Sequence, residues 1–336
     1  MPELQNRQVK LAARPVGLTK REDFSFETAQ VGELQDGEVL VKVSHLSLDP
    51  AMRGWMNAGR SYIPPVELGE VMRAGGAGRV VESRHEAFRE GDAVTGMTGV
   101  QEYAVVKGAA LQKVDASKVS LESYLGGLGM PGMTAYFGLL DVATVKAGET
   151  VVVSGAAGAV GSITGQIAKI KGCRVIGVAG GADKCRAVVE DFGFDACVDY
   201  KNEDVSKRLR ELCPDRINVY FDNVGGDILN VCLAQMALHG RIAICGAISQ
   251  YNNTEPMKGP SNYMSLLVNR ARMEGFVVFD YAKRFGEAVD AMAGWMADGK
   301  LKVREHVVEG GVDAFPETLN KLFAGENTGK LVLKIA

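Results

Sequence analysis

No cysteine precedes Cys173 in this chain of 336 residues, and histidine occurs only four times. A two-domain alcohol dehydrogenase takes its catalytic zinc ligands, Cys, His or acidic side chains, from the first domain. Here that domain offers no cysteine and only two histidines, His45 and His85, so zinc is expected in neither a catalytic nor a structural role. His45 lies in a strand-like run, as packed histidines do, and His85 lies in a polar turn that belongs at the surface. The six cysteines (Cys173, Cys185, Cys197, Cys213, Cys232, Cys245) include no C-x-x-C pair and sit mostly in apolar surroundings. That pattern predicts buried, reduced thiols rather than disulfides or metal ligands. A G-x-S-x-G nucleophile turn is also missing, so that local signature of nucleophilic catalysis does not apply.

Long apolar runs are absent too. Nothing approaches the ~18–20 residues of a spanning helix, and Met1–Pro15 holds no signal-peptide core. The expectation is a cytoplasmic protein with no membrane partner. A net charge of −3 gives no electrostatic pull toward nucleic acid. With 46% hydrophobic and 24% charged residues the chain has an ordinary globular mix. Its length suggests two domains at roughly 150 residues each.

What is present falls into two rhythms. From Glu38 to Leu48 the β-branched pattern of Val39, Val41 and Val43 predicts a strand. Short strands follow at Gly78–Val81, Ala93–Thr95 and Tyr103–Val106, with Gly75, Gly76 and Gly78 crowded into what looks like one turn. From Thr150 strands alternate with helices. Strands are predicted at Thr150–Ser154, Arg174–Ala179, Ala196–Val198, Val219–Asp222 and Arg241–Cys245. The helices between them are Ala159–Lys171, Asp183–Phe192, Glu203–Leu212 and Ile228–Leu238. This succession is that of an α/β, doubly wound parallel sheet. A strand near Arg272–Val278 and a helix near Ala282–Ala297 come next. The tail from Val303 returns to strand, helix (Asp313–Ala324) and strand, as if rejoining the N-terminal domain. The expected division is 1–125, 126–300 and 301–336.

Ser154-Gly155-Ala156-Ala157-Gly158-Ala159-Val160-Gly161-Ser162 stands between a strand and a helix. Residues without Cβ allow the tight turn and close backbone approach that a pyrophosphate needs, and the helix N-terminus favours its charge. Gly158, Ala159, Val160 and Gly161 are therefore candidate phosphate-binding residues. An NAD site places an acid about 20 residues on, at the tip of the second strand. Here that tip is Ala179-Gly180-Gly181, and Lys184 follows at the start of a helix whose dipole would prefer an anion. A 2′-phosphate explains this cation better than a solvated surface lysine does, and Asp183 is assigned to supporting the helix start. NADPH is the predicted cofactor.

Several blocks in order carry a wider resemblance. They include Leu48-Asp49-Pro50-Ala51-Met52-Arg53-Gly54, Met130-Pro131-Gly132-Met133-Thr134-Ala135-Tyr136, Asp199-Tyr200-Lys201 and Phe221-Asp222-Asn223-Val224-Gly225-Gly226. Cys245-Gly246-Ala247-Ile248-Ser249-Gln250-Tyr251-Asn252 and Gly325-Glu326-Asn327-Thr328-Gly329-Lys330 complete the set. Together they resemble the zinc-independent medium-chain dehydrogenase/reductases, in particular the prostaglandin reductase, plant double-bond reductase and bacterial curcumin reductase group. The resemblance implies a GroES-like β-rich domain, a Rossmann domain and an active-site cleft. It also implies NADPH-dependent reduction of the C=C bond of α,β-unsaturated ketones or aldehydes, a small-molecule substrate, and a homodimer paired through the Rossmann domain.

By the same resemblance, Gly180, Lys184 and Tyr200 contact the 2′-phosphate side of the cofactor. Asn223, Cys245, Gly246, Ala247, Ile248, Ser249, Phe276, Val277, Val278 and Asn327 line its nicotinamide and ribose, with Met130 and Thr134 nearby. Structural roles are open to some of these: Phe276 and Val277 as core residues, Asn223 as a turn former, Asn327 as a cap. Tyr251 is the candidate catalytic residue. Its phenol would hydrogen-bond the enolate oxygen together with the cofactor ribose, and it or water would supply the α-proton. Tyr62 is either substrate-lining or a surface-loop tyrosine. Ala51 stands where many relatives carry tyrosine, which removes one substrate contact. A quinone reductase on the same scaffold and a non-catalytic NADPH-binding sensor are the alternatives.

Overall fold

The computed structural model describes residues 4–335. These form two compact units, one running up to Gly126 and resuming at Glu305, the other spanning Gly127–Arg304. In the first, β1 (Gln5–Leu11) and β2 (Phe24–Gln30) pair as an antiparallel ribbon. Then come β3 (Glu38–Ser47), α1 (Ala51–Trp55), β4 (Gly75–Ser83), β5 (Ala93–Met97), β6 (Tyr103–Lys107), β7 (Leu111–Lys113) and α2 (Leu121–Leu125).

The second unit begins with α3 (Met130–Phe137), β8 (Thr150–Ser154), α4 (Ala159–Ile170), β9 (Arg174–Ala179), α5 (Ala182–Glu190) and β10 (Ala196–Asp199). It continues with α6 (Val205–Leu212), β11 (Ile217–Asp222), α7 (Gly226–Ala234), β12 (Met236–Ile244), α8 (Ser265–Asn269), β13 (Arg272–Gly275) and α9 (Phe285–Ala297). The chain then returns to the first unit as β14 (Glu305–Glu309), α10 (Phe315–Ala324) and β15 (Lys330–Lys334).

The second unit's six strands are all parallel, in the order β10-β9-β8-β11-β12-β13. This is the doubly wound Rossmann order, and its switch point falls between β8 and β11, where ligands bind outside the strands' C-terminal ends. Val151, Val152 and Val153 are fully buried, as a central parallel strand requires. The first unit is a seven-stranded mixed sheet, β14-β15-β3-β4-β5-β7 with β6 also on β3. Val39, Val41 and Val43 of β3 enter its core beside Leu46, Phe315 and Leu333.

Three local expectations change. Gly75, Gly76 and Gly78 belong to β4 rather than to a turn. The β3–β4 register shifts between Val43 and His45, and the backbones come so close that a Cβ on Gly78 would lie 2.1 Å from the Lys42 carbonyl oxygen. β12 begins at Met236, inside the segment expected to be helix, because His239 (φ 59°) and Gly240 form an irregularity that lets the strand start early. β13 stops at Gly275 instead of Val278, since its partner β12 ends at Ile244, opposite Gly275. No helix among the described residues is long and apolar enough to cross a membrane.

Candidate functional site

The turn between β8 and α4 is shaped by its glycines. Gly155 has φ +61°, and Gly158 is the extended N-cap of α4. A Cβ on Gly161 would lie 2.3 Å from the Gly155 carbonyl oxygen, so the helix starts directly on the turn. Ala159, Val160 and Gly161 occupy its first turn, where backbone N–H groups have no intrahelical acceptor. This is a cradle for an anion.

A second cradle forms where β9 and β10 end. The Tyr200 ring covers Gly180 so closely that a Cβ there would lie 2.8 Å from the phenol oxygen. Gly181 (φ +97°) caps α5, and its N–H donates to Asp199 Oδ1 at 2.7 Å. Asp199 also accepts from Asn202 Nδ2 at 2.7 Å and from the Lys201 N–H at 3.1 Å. These bonds, the Asn202 one foremost, hold its carboxyl below the usual range. Lys184, on the first turn of α5, is half-buried and has no carboxylate partner among the described residues. Burial, and next the neighbouring Lys201, push its ammonium below the ordinary 10.5. Asp183 does not cap α5: it is exposed and pairs with Arg186 at 2.7 Å. Two mutually repelling lysines beside a glycine strand end without a free acid fit the 2′-phosphate of NADP(H), not a bare ribose hydroxyl.

The third part lies beyond β11 and β12. Asp222 is fully buried, and its Oδ1 accepts from Tyr220 Oη (2.7 Å), Gly225 N–H (2.8 Å), Val224 N–H (3.0 Å) and Ser154 Oγ (3.2 Å). Burial raises its pKa against the pull of those bonds. Asn223 Nδ2 donates to the Ser154 carbonyl at 2.7 Å, tying the phosphate turn to this loop. Cys245 and Gly246 donate their N–H groups to the Asp222 carbonyl, Ile248 donates to that of Asn223, and Ser249 to that of Val224. Burial pushes the Cys245 thiol up to about 12, so it stays protonated. The Tyr251 phenol oxygen accepts the Ala247 N–H at 3.1 Å and lies against Gly246.

The remaining candidates are more dispersed. Phe276 packs edge-on to Phe221 at 6.2 Å and against Gly138; Val277 is half-buried and Val278 buried. Thr134 Oγ1 donates to the Met130 carbonyl on α3 at 2.8 Å. In the first unit, exposed Tyr62 accepts from Trp55 Nε1 at 3.3 Å. Asn327 is buried there and donates to the Gly329 carbonyl at 2.8 Å. The fold thus gathers Gly158–Gly161, Gly180, Lys184, Tyr200, Asn223 and the Cys245–Tyr251 loop along the C-terminal ends of β8–β12.

Known proteins share this arrangement. A model for the N-terminal domain of oxidoreductase matches residues 7–114, and one for zinc-binding dehydrogenase matches 159–294. The chain is 42% identical to the NADPH-dependent curcumin reductase of Escherichia coli, over 99% of this chain and 97% of that protein. It is 41% identical to the 2-alkenal reductase (NADP(+)-dependent) of Nicotiana tabacum, over 99% and 98%. The crystal structure of CurA from Vibrio vulnificus in complex with NADPH superimposes with a TM-score of 0.93, at 41% identity over 98% and 99%. The chain belongs to the medium-chain dehydrogenase/reductases.

Within that family one matching model is named for zinc, yet among the described residues no group of three or more His, Cys, Asp or Glu side chains is placed to hold a metal ion. Residue-level reading of the sequence passed over Asp199, Lys201 and Asp222. Asp199 and Lys201 carried a signal, an acid ending a strand and then a second lysine; Asp222 shows its role only where its hydrogen-bond partners converge.

Proposed function

We propose that this chain, an NADPH-dependent reductase, reduces the C=C bond of α,β-unsaturated ketones and aldehydes, acting in the cytoplasm as a homodimer paired through its Rossmann unit. The observation that carries the cofactor assignment is Lys184, a half-buried cation with no carboxylate partner among the described residues, beside Lys201 and the Tyr200-covered Gly180. Likeness to a curcumin reductase and a 2-alkenal reductase supports the substrate class. NADPH, when bound, supplies the hydride to the substrate β-carbon.

In this reading the N–H groups of Ala159, Val160 and Gly161 hold the pyrophosphate, and Gly180, Lys184 and Tyr200 hold the 2′-phosphate. Asn223, the Cys245–Ser249 loop and Phe276–Val278 orient the nicotinamide and ribose, with Met130 and Thr134 alongside. Tyr251 donates a hydrogen bond to the substrate carbonyl oxygen as negative charge develops there, an interaction worth most at the transition state.

The test follows NADPH oxidation with enals, enones, quinones and saturated aldehydes, with product masses alongside. Fast consumption of enals and enones to their saturated carbonyls supports the reading. Faster turnover of quinones, or tight NADPH binding without turnover of any of them, overturns it.

A further inference from the structure

The geometry points to Cys185 and Cys197 as a reversible dithiol–disulfide site that sets the affinity of the 2′-phosphate pocket. All six cysteines are free thiols; Cys185 and Cys197 are partly buried, as is Cys245, and the Cys197 thiol donates to the Cys185 sulfur at 3.1 Å. A disulfide requires about 2.05 Å, so roughly 1 Å of approach separates the two states. The space for this contact comes from Gly177 on β9, where a Cβ would sit 3.3 Å from the Cys197 sulfur and 2.8 Å from Val188 of α5.

The two thiols are not equivalent. Burial raises both, but the S–H of Cys197 pulls Cys185 back down, whereas Cys197 is held high. Cys185 is therefore the attacking sulfur. The oxidant is a low-molecular-weight disulfide, RSSR. The Cys185 thiolate attacks one of its sulfurs, forming a mixed disulfide and releasing RS⁻, which takes the proton lost by Cys185. Cys197 then attacks the protein-bound sulfur and loses its proton to the second departing RS⁻. Two protein thiols are oxidised and RSSR is reduced to two RSH.

Position gives the bond its consequence. Cys185 directly follows Lys184 on α5, and Cys197 lies on β10 shortly before Asp199 and Tyr200. The seam between α5 and β10 is already tied by Asp199 to the Gly181 N–H. A disulfide across it draws α5 toward β10 and shifts Lys184 relative to Tyr200. This consequence rests on the pocket reading given above. By linkage, bound NADPH must then resist oxidation of the pair to the same degree that oxidation weakens NADPH.

The reduced protein is incubated with oxidised glutathione, with and without NADPH or NADH. The readouts are peptide mapping, free-thiol counts and equilibrium binding of both nucleotides. Expected are a Cys185–Cys197 cross-link, loss of two of the six free thiols, and NADPH binding weakened about 5- to 20-fold with NADH binding unchanged, within the usual range of coupling between sites. Dithiothreitol reverses all three, NADPH but not NADH slows the cross-link, and Cys197→Ser captures a single glutathione on Cys185. Failure of the two cysteines to join, or a cross-link that leaves NADPH affinity unchanged, overturns the proposal. The pocket has its own check: if reduced Lys184→Ala binds NADPH as tightly as wild type, the pocket assignment and the affinity effect fall, while the cross-link is still scored by mass.

Discussion

The phenol oxygen of Tyr251 accepts the backbone N–H of Ala247, four residues before it, at 3.1 Å. The bond folds the ring over Gly246, and a Cβ on Gly246 would come within 2.7 Å of the phenol oxygen. A phenol oxygen both accepts and donates, and the proposed function gives the Tyr251 O–H to the substrate carbonyl. Tyr251→Phe is accordingly expected to lower kcat about 100- to 1000-fold, the scale of losing one donor to a developing oxyanion, while NADPH binding stays within about twofold of wild type. Steady-state kinetics beside nucleotide titration decide it. An equal loss in NADPH affinity would instead make Tyr251 a support for the Cys245–Ser249 loop.

Lys184 gives a pH-dependent prediction. Burial and Lys201 lower its folded-state pKa below 10.5. With the native state releasing its proton before the unfolded chain does, the cost of holding the charge is full at neutral pH and is relieved as pH rises through the lowered value. Phosphate binding needs the charged form, so NADPH affinity should fall across the same alkaline interval, below 10.5. Lys184→Met should weaken NADPH about 10- to 100-fold, the loss of a hydrogen bond between charged groups, and abolish the alkaline slope. NADH binding should show neither effect in isothermal titration across pH.

Much of the architecture was legible because it rests on burial. Val151–Val153, Val175–Ile176 and Val219–Phe221 are near-continuous apolar runs that end up fully buried in a parallel sheet. The β1–β2 ribbon was not legible: QNRQVKL opens on four polar or charged residues, and its two apolar residues, Val9 and Leu11, enter the core with Phe24 of β2. α3 was hidden by Pro131 and Gly132 in its opening turn, where proline is compatible with a helix but reads as a breaker. At the site, the phosphate turn and Lys184 could be read from spacing. The Asp222 hub could not, because a buried acid is recognisable only once Ser154, Tyr220 and the Val224–Gly225 N–H groups are seen to converge on it.

Gly161 tests the cradle directly. Ala at this position places a methyl 2.3 Å from the Gly155 carbonyl oxygen and 3.0 Å from Ala156 Cα, both backbone atoms that cannot step aside. Gly161→Ala should cost about 1–3 kcal/mol of stability, the usual penalty for overpacking. It should also weaken NADPH and NADH together, since the pyrophosphate is common to both. Denaturant unfolding and nucleotide titration measure the two effects. Selective loss of NADPH would remove the turn from the pyrophosphate assignment.

The proposed homodimer is tested at the sheet edge. Among the described residues β13 ends the six-stranded sheet and pairs with β12 alone, leaving one side of its backbone groups available to a further strand. Beside it, α8 exposes Leu267 (67%) and Val268 (65%), and Tyr263 and Met264 just before it are also exposed. An open strand flanked by apolar side chains suits a second copy meeting its own kind about a twofold axis. Leu267→Glu with Val268→Glu buries like charges in such an interface, where unpaired desolvated carboxylates cost several kcal/mol each. Light scattering should report a dimer for the wild type and a monomer for the double variant, with NADPH binding unchanged because the cradle lies within one chain. A wild-type monomer at micromolar concentration, or a double variant still dimeric, would remove this edge from the interface.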